Sequence, residues 1–291
     1  MHTFTIKDLE NLSGVKAHTL RIWEQRYSFL KPTRSFTNIR RYNNVELKTI
    51  LNIALLNKYG YKISHIDKMT AAEVHAKILS LNPEAQQERI VNELIQNMID
   101  LEINAFETIL EKNIIGRGIE RTISQIIFPF LEKIGILWVT NHINPAQEHM
   151  VSNIIRQKLI VGIDGAHTSI KVNKSVLLFL PEGEHHELGL LFMHYLLKSR
   201  GAEVIYVGAN IPIKDVEYVV TLKKPTYVYS HLTTVGAKFN FEKFLSASIK
   251  AFPKTTIIIS GLLTQVYEKK IHPPIVFKRS FKEVMEFVTT L

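Results

Sequence analysis

Not one of the 291 residues is a cysteine. Disulfides and thiolate metal sites are therefore excluded, and a cytoplasmic setting is the natural expectation. Apolar residues make up 46% of the chain, yet nowhere do 18 of them run together, so no transmembrane helix is expected. The start of the chain has no basic segment followed by an apolar stretch, and no signal peptide is expected. Internal repeats and low-complexity tracts are also missing. What remains is the composition of a globular protein, 22% charged and long enough for two or three domains, each with its own core.

The net charge of +9 is unevenly placed. Residues 1–70 hold 12 Lys and Arg against 5 Asp and Glu, a balance of 12 − 5 = +7, so most of the excess lies in the first quarter. Charge gathered in this way points to a polyanionic partner rather than to solubility alone.

Within that quarter, Thr5 is placed to cap a short helix that buries Leu9 and Leu12, and Gly14 suits the tight turn after it. A second helix is expected over Lys16–Tyr27, with Leu20, Trp23 and Tyr27 inward and Lys16, His18, Thr19, Arg21 and Arg26 on more exposed positions. Two short helices joined by a glycine turn, the second polar and basic, have the form of a DNA-reading helix-turn-helix. Beyond Pro32, strand-forming residues flank an Asn-bearing turn and predict a small hairpin wing. Arg34, Arg40 and Arg41 would meet phosphates there. A longer helix, Val45–Tyr59, follows, with Leu47, Ile50, Leu51, Ala54 and Leu55 as its apolar stripe.

From Ala71 to about Gly165 the periodicity is helical. Four antiparallel helices are expected over 71–81, 83–111, 118–140 and 144–163, a four-helix bundle. Asn144 and Pro145 form a good start to the last of them. Trp138 closes the helix before that join, and Glu148 and His149 lie in the first turns after it.

After Lys171 short apolar runs alternate with amphipathic ones. Strands are predicted at 175–180, 203–207, 227–231, 256–259 and 275–277, with helices near 188–200, 213–222, 239–251, 264–269 and 281–290. This pattern predicts a flavodoxin-like, doubly wound α/β sheet, in which ligands sit at the carboxyl ends of the strands. The first such loop is Glu184-His185-His186-Glu187-Leu188-Gly189. A neutral imidazole there is a potential metal ligand, and a carboxylate two residues earlier can fix its tautomer. A zinc-protease reading fails, because no second histidine follows His186-Glu187 where H-E-x-x-H requires one.

Three resemblances bind these pieces together. Thr19-Leu20-Arg21-Ile22-Trp23-Glu24-Gln25-Arg26-Tyr27, Pro32, Arg34, Arg40-Arg41-Tyr42 and Gly60-Tyr61-Lys62-Ile63 resemble the MerR family of transcriptional regulators. That likeness implies a winged helix-turn-helix binding double-stranded DNA as a symmetric homo-oligomer, with Tyr42 among the DNA-contacting residues. Trp138, then nine residues, then Glu148-His149 resembles the W-x9-EH signature of cobalamin-binding light sensors, in which the bundle covers the upper face of the corrin. Glu184-x-His186-x-x-Gly189, Ser230-His231-Leu232 and Ser260-Gly261 resemble the cobalamin-binding domain family. Ser260 departs from the usual Gly-Gly and adds a hydroxymethyl group beside the pocket for the nucleotide tail. In that family's arrangement His186 is the lower axial ligand of cobalt, oriented by Glu184. Gly189 permits close approach, and Ser230, Leu232 and Gly261 line the tail pocket.

Taken in order, the parts are residues 1–72, 73–168 and 172–291, and the whole resembles the adenosylcobalamin-dependent, light-responsive MerR-type repressors. The implied cycle is repression in the dark as a dimer or tetramer, then Co–C photolysis, a shift of the bundle, and release of DNA. His149 would ligate cobalt from above afterwards. Two other readings stand beside it: a MerR-type regulator governed by cobalamin level or by a protein antirepressor, and a corrinoid-carrying methyltransferase module. An enzyme is not expected, nor any membrane association.

Overall fold

In a computed structural model of the chain, residues 3–139, 143–233 and 239–291 are described. They fall into two compact units, Met1–Ile154 and Ile155–Leu291.

The first unit opens with α1 (Ile6–Ser13) and α2 (Ala17–Arg26). Thr5 and Asp8 form a reciprocal capping box at the start of α1, and Gly14 ends it in the left-handed region at φ 73°. The wing is a two-stranded antiparallel hairpin, β1 (Thr33–Arg34) and β2 (Arg40–Arg41). Then α3 (Asn44–Lys58) starts from a second capping box, Asn43 with Glu46. Its expected stripe is buried, and so are Ile53 and Leu56, because α3 packs against α6 as well as α1. A short α4 (Ile63–Ile66) and α5 (Ala71–Leu79) lead into the bundle helices α6 (Pro83–Ile99) and α7 (Ile103–Arg117). Next come α8 (Ile119–Thr122), a π-helical turn at Ile123–Ile127 and α9 (Phe128–Val139), and finally the start of α10 (Pro145–Gly165). Phe106 and Phe130 meet at 5.4 Å in the bundle core. The expected end of the third bundle helix, Thr140, lies outside the described residues.

The single helix expected over 83–111 is two helices. The chain turns at Leu101, a non-glycine residue at φ 59°. The N–H of Glu102 donates to the Asn97 carbonyl at 2.8 Å and that of Leu101 to Met98 at 3.3 Å, a Schellman closure. Leucine carries no sequence mark of such a turn, and the apolar period runs on through it, so periodicity alone reads one helix. In the first unit α6 packs on α5, α7 and α9, and α7 on α8.

The second unit is a five-stranded parallel sheet in the order β4-β3-β5-β6-β7. Its strands are β3 (Ser175–Pro181), β4 (Glu203–Ile211), β5 (Tyr227–His231), β6 (Thr256–Ser260) and β7 (Ile275–Lys278). The helices between and after them are α11 (Leu188–Ser199), α12 (Ile213–Lys223), α13 (Phe241–Ala251), α14 (Leu262–Val266) and α15 (Phe281–Thr289). All five strands fall where the apolar runs predicted them. Both faces of β3 are buried, which is why it reads as an unbroken apolar run rather than as alternation. Leu177, Phe179, Val228, Ile257 and Ile259 share one core with Val216, Phe244 and Phe252. Strand β3 has β4 on one side and β5 on the other, so the strand order reverses there, and the loop after β3 opens onto the switch point.

Candidate functional site

The loop after β3 is built around one carboxylate. Gly183, at φ 87°, turns the chain, and the N–H of Glu184 donates to the Pro181 carbonyl at 3.0 Å. Glu184 is then completely buried. Its Oε1 accepts from the backbone N–H of His186 at 2.9 Å and lies 2.7 Å from His186 Nδ1. Its Oε2 accepts from the backbone N–H of Thr233 at 3.0 Å, which ties the β3 loop to the end of β5. With Nδ1–H donating to the carboxylate, the neutral ring of His186 carries its lone pair on Nε2, and the side chain is 57% exposed.

The end of β4 braces this loop, a role that no sequence motif signals. The strand is irregular against β3 beyond Leu178, and Asn210 takes a left-handed conformation at φ 59°. From there its N–H donates to the Glu184 carbonyl at 3.1 Å, and its Oδ1 accepts from Gly183 N–H at 2.9 Å.

Below the loop, the three motifs come together at the carboxyl ends of β3, β5 and β6. Gly189 lies against the imidazole of His231: a Cβ at position 189 would sit 2.7 Å from His231 Cδ2. His231 Nδ1 is hydrogen-bonded to Ser260 Oγ at 2.8 Å, and Ser260 Oγ in turn to the Tyr229 hydroxyl at 2.6 Å. The hydroxymethyl group of Ser260 is thus buried in a polar chain of its own. Burial depresses the His231 pKa to about 4, against an opposing pull from Glu184, and holds the ring neutral. Burial likewise raises the pKa of Tyr229. Gly261 has φ 97°, and a Cβ there would fall 2.2 Å from the Leu232 carbonyl oxygen, so only glycine fits. Ser230 is buried, and its Oγ has no hydrogen-bond partner among the described residues.

Sequence reasoning also missed the residues around Glu187. Its carboxylate takes hydrogen bonds from Arg156 on α10 at 2.5 Å and from the Tyr206 hydroxyl at 2.7 Å. Tyr206 stacks on His194 at 5.1 Å. Burial, then the Glu187 hydrogen bond, pushes the Tyr206 pKa up; burial, then Lys198, pushes that of His194 down. The types Arg, Glu, Tyr and His gave no signal, because they lie far apart in sequence and match no spacing rule.

In the first unit, Trp138 is 47% exposed at the end of α9. Glu148, in the first turn of α10, accepts from Ser152 Oγ and lies 3.4 Å from His149 Nδ1. The His149 side chain is 72% exposed.

Along α2, Lys16, His18, Arg21 and Arg26 are exposed and Thr19 is half-buried. Lys16 pairs with Glu10 at 3.3 Å. One reading of the wing needs correction. Tyr42 is fully buried, bridged through its backbone to Phe4, with burial raising its pKa to about 12; it is a core residue and cannot reach DNA. Arg34 and Arg40 both pair with Glu24 on α2, at 3.3 and 2.6 Å, which braces the wing.

By fold the chain is a winged helix-turn-helix followed by a helical bundle and a parallel α/β sheet. The chain matches the MerR HTH family regulatory protein over residues 4–73 and the B12 binding domain over residues 90–161. It joins a MerR helix-turn-helix to a B12-binding domain, and it is homologous at modest identity to two repressors of Myxococcus xanthus. One is the HTH-type transcriptional repressor CarA, 27% identical over 271 residues, spanning 92% of this chain and 90% of CarA. The other is the HTH-type transcriptional repressor CarH, 25% identical over 261 residues, spanning 87% and 86%. Both are regulators rather than enzymes. In fold, the monomethylamine corrinoid protein of Methanosarcina barkeri aligns with a TM-score of 0.53 at 10% identity, covering 70% of this chain and all of that one. Among the described residues no helix is long and apolar enough to cross a membrane.

Proposed function

We propose that this protein is a DNA-binding transcriptional repressor that binds adenosylcobalamin and releases its operator on illumination. The single observation that carries the reading is the Glu184–His186 pair at the switch point of the sheet, with its buried carboxylate and fixed imidazole tautomer. Among the described residues no three metal-binding side chains cluster. An imidazole oriented by a carboxylate suits a metal that arrives with its other ligands already in place, as cobalt does in a corrin.

The floor beneath fits the same group. The buried hydroxyl of Ser230, without a hydrogen-bond partner among the described residues, would meet a polar atom of the group, while Gly189 and Gly261 let His231 and the Leu232 backbone pack closely beside it. His186 would ligate the cobalt, with Glu184 raising its basicity. Ser230, Leu232, Ser260 and Gly261 would receive the nucleotide tail. In this reading Trp138, Glu148 and His149 would also serve the group, His149 as a second imidazole able to ligate cobalt. Bound adenosylcobalamin supplies a cobalt–carbon bond that light can break. The chain's part is to hold one bundle arrangement before that event and another after it.

Residues 1–72 form the DNA-binding part in this reading, 73–168 the bundle and 172–291 the corrinoid-binding sheet. DNA is gripped by a cytoplasmic homo-oligomer, a dimer or tetramer, whose several winged heads act together. The test is the full-length protein loaded with adenosylcobalamin in the dark. Its absorption spectrum, mass in solution and retention of duplex DNA are measured before and after green light. A cobalt–histidine spectrum that His186→Ala abolishes is expected, with loss of mass and of DNA after light. Unchanged mass and DNA retention after complete photolysis would remove light from the account. A cobalt–histidine spectrum surviving in His186→Ala would remove His186 as ligand.

A further inference from the structure

Between Tyr27 and Asn43 the chain carries four cations, Lys31, Arg34, Arg40 and Arg41, and no carboxylate. In the turn of the hairpin they surround, Phe36 is fully exposed, and Ile39 beside it is half exposed. This is no slack loop. Ser35 N–H donates to the Ile39 carbonyl at 2.9 Å and Asn38 N–H to that of Ser35 at 2.8 Å. Ile39 N–H donates to Ser35 Oγ at 3.0 Å, and Arg34 Nη1 to Asn38 Oδ1 at 2.9 Å. Glu24, accepting from both Arg34 and Arg40, then fixes the hairpin against α2. A bare phenyl ring is therefore presented on a rigid, positively charged finger, at a set place relative to the exposed Arg21 and Arg26.

An apolar ring gains by being covered, and its cover must welcome the charge around it. Duplex DNA offers both features, a phosphate wall over sugars and base edges. With α2 reading the major groove, a narrow hairpin tip beside it falls over the flanking minor groove. We infer that Phe36 is a minor-groove wedge. Its ring presses against sugar and base edges at a deformable step beside the sequence that α2 reads, while Arg41 and Lys31 take phosphates. The inference rests on the DNA-binding reading above and adds a specificity-setting contact to it.

The experiment uses the full-length protein and a duplex that it selects from a random-sequence pool. Affinity is measured over a salt series for wild type, Phe36→Ala, Phe36→Leu and Arg41→Ala, with 2-aminopurine placed in turn at each flanking step. Phe36→Ala should lose roughly tenfold or more in affinity with an unchanged salt slope, and Phe36→Leu should keep most of the binding. Arg41→Ala should instead flatten the slope by about one unit. Wild type should raise the 2-aminopurine signal at one flanking step and Phe36→Ala should not. If Phe36→Ala binds as tightly as wild type, or no flanking step responds, the wedge is refuted and the ring serves another surface, such as an acidic protein. If wild type selects no duplex at all, the DNA-binding reading falls and the wedge with it.

Discussion

Replacing Gly189 with alanine tests the floor of the site through a single contact. Gly189 is the second residue of α11 and its φ is not in the left-handed region, so alanine there gains up to about 1 kcal/mol of helix propensity. Against that gain stands His231, whose Cδ2 and Nε2 would lie 2.7 and 3.0 Å from the new Cβ. The ring cannot swing aside cheaply, because its Nδ1 is held by Ser260 Oγ at 2.8 Å and Ser260 is held by Tyr229. Overpacking of this kind costs ~1–3 kcal/mol, which leaves Gly189→Ala destabilising by about 1–2 kcal/mol. In a His231→Ala background the obstacle is gone, and the same change becomes neutral or stabilising by up to about 1 kcal/mol. The two substitutions should therefore couple by roughly 2 kcal/mol. Amide exchange of β3 and β5 in the full-length protein reports the opening energy of the sheet unit itself, separately from the helical unit. If Gly189→Ala costs the same with and without His231, the packing of that ring on the helix start is wrong.

Three further outcomes rest on contacts and backbone conformations of the same kind. His231 has a folded pKa of about 4 because it is buried, so between that value and its ordinary one the unfolded chain binds more protons. Stability then falls as pH drops, by about 2 kcal/mol from neutral pH to about pH 5, and His194 adds in the same direction. Exchange measured at both pH values in wild type and His231→Ala should show the slope shrinking in the variant; equal slopes would contradict it. Gly261→Ala meets backbone, not a side chain, at 2.2 Å and at a positive φ, so a loss of about 3 kcal/mol or more is expected. Trimming the Leu232 side chain should not rescue it, as denaturation of Gly261→Ala with and without Leu232→Ala will check. Leu101→Gly should stabilise the helical unit by about 0.5–1 kcal/mol, since Leu101 is half exposed and left-handed at φ 59°. A lowered melting temperature would count against the turn that divides α6 from α7.

Much of this molecule is decided locally and can be read from the chain by itself. Capping residues, the Ser13-Gly14 turn, the apolar period of α3 and the five buried strand runs each act over a few neighbouring residues, so their elements appear where short-range chemistry puts them. The loop motif Glu184-x-His186 is legible for the same reason, since donor and acceptor are two residues apart. What only the tertiary structure decides is where distant groups meet. Tyr42 reads as a polar residue of a basic wing, yet its backbone bridge to Phe4 draws it into the core. Arg34 and Arg40 read as cations of the wing, and only the fold brings Glu24 of α2 to both. Asn210 holding the Glu184 loop, His231 lying on Gly189, and Arg156 reaching Glu187 join partners 27, 42 and 31 residues apart. No spacing rule foresees such pairs, because the fold, and not the nearby sequence, sets their distance.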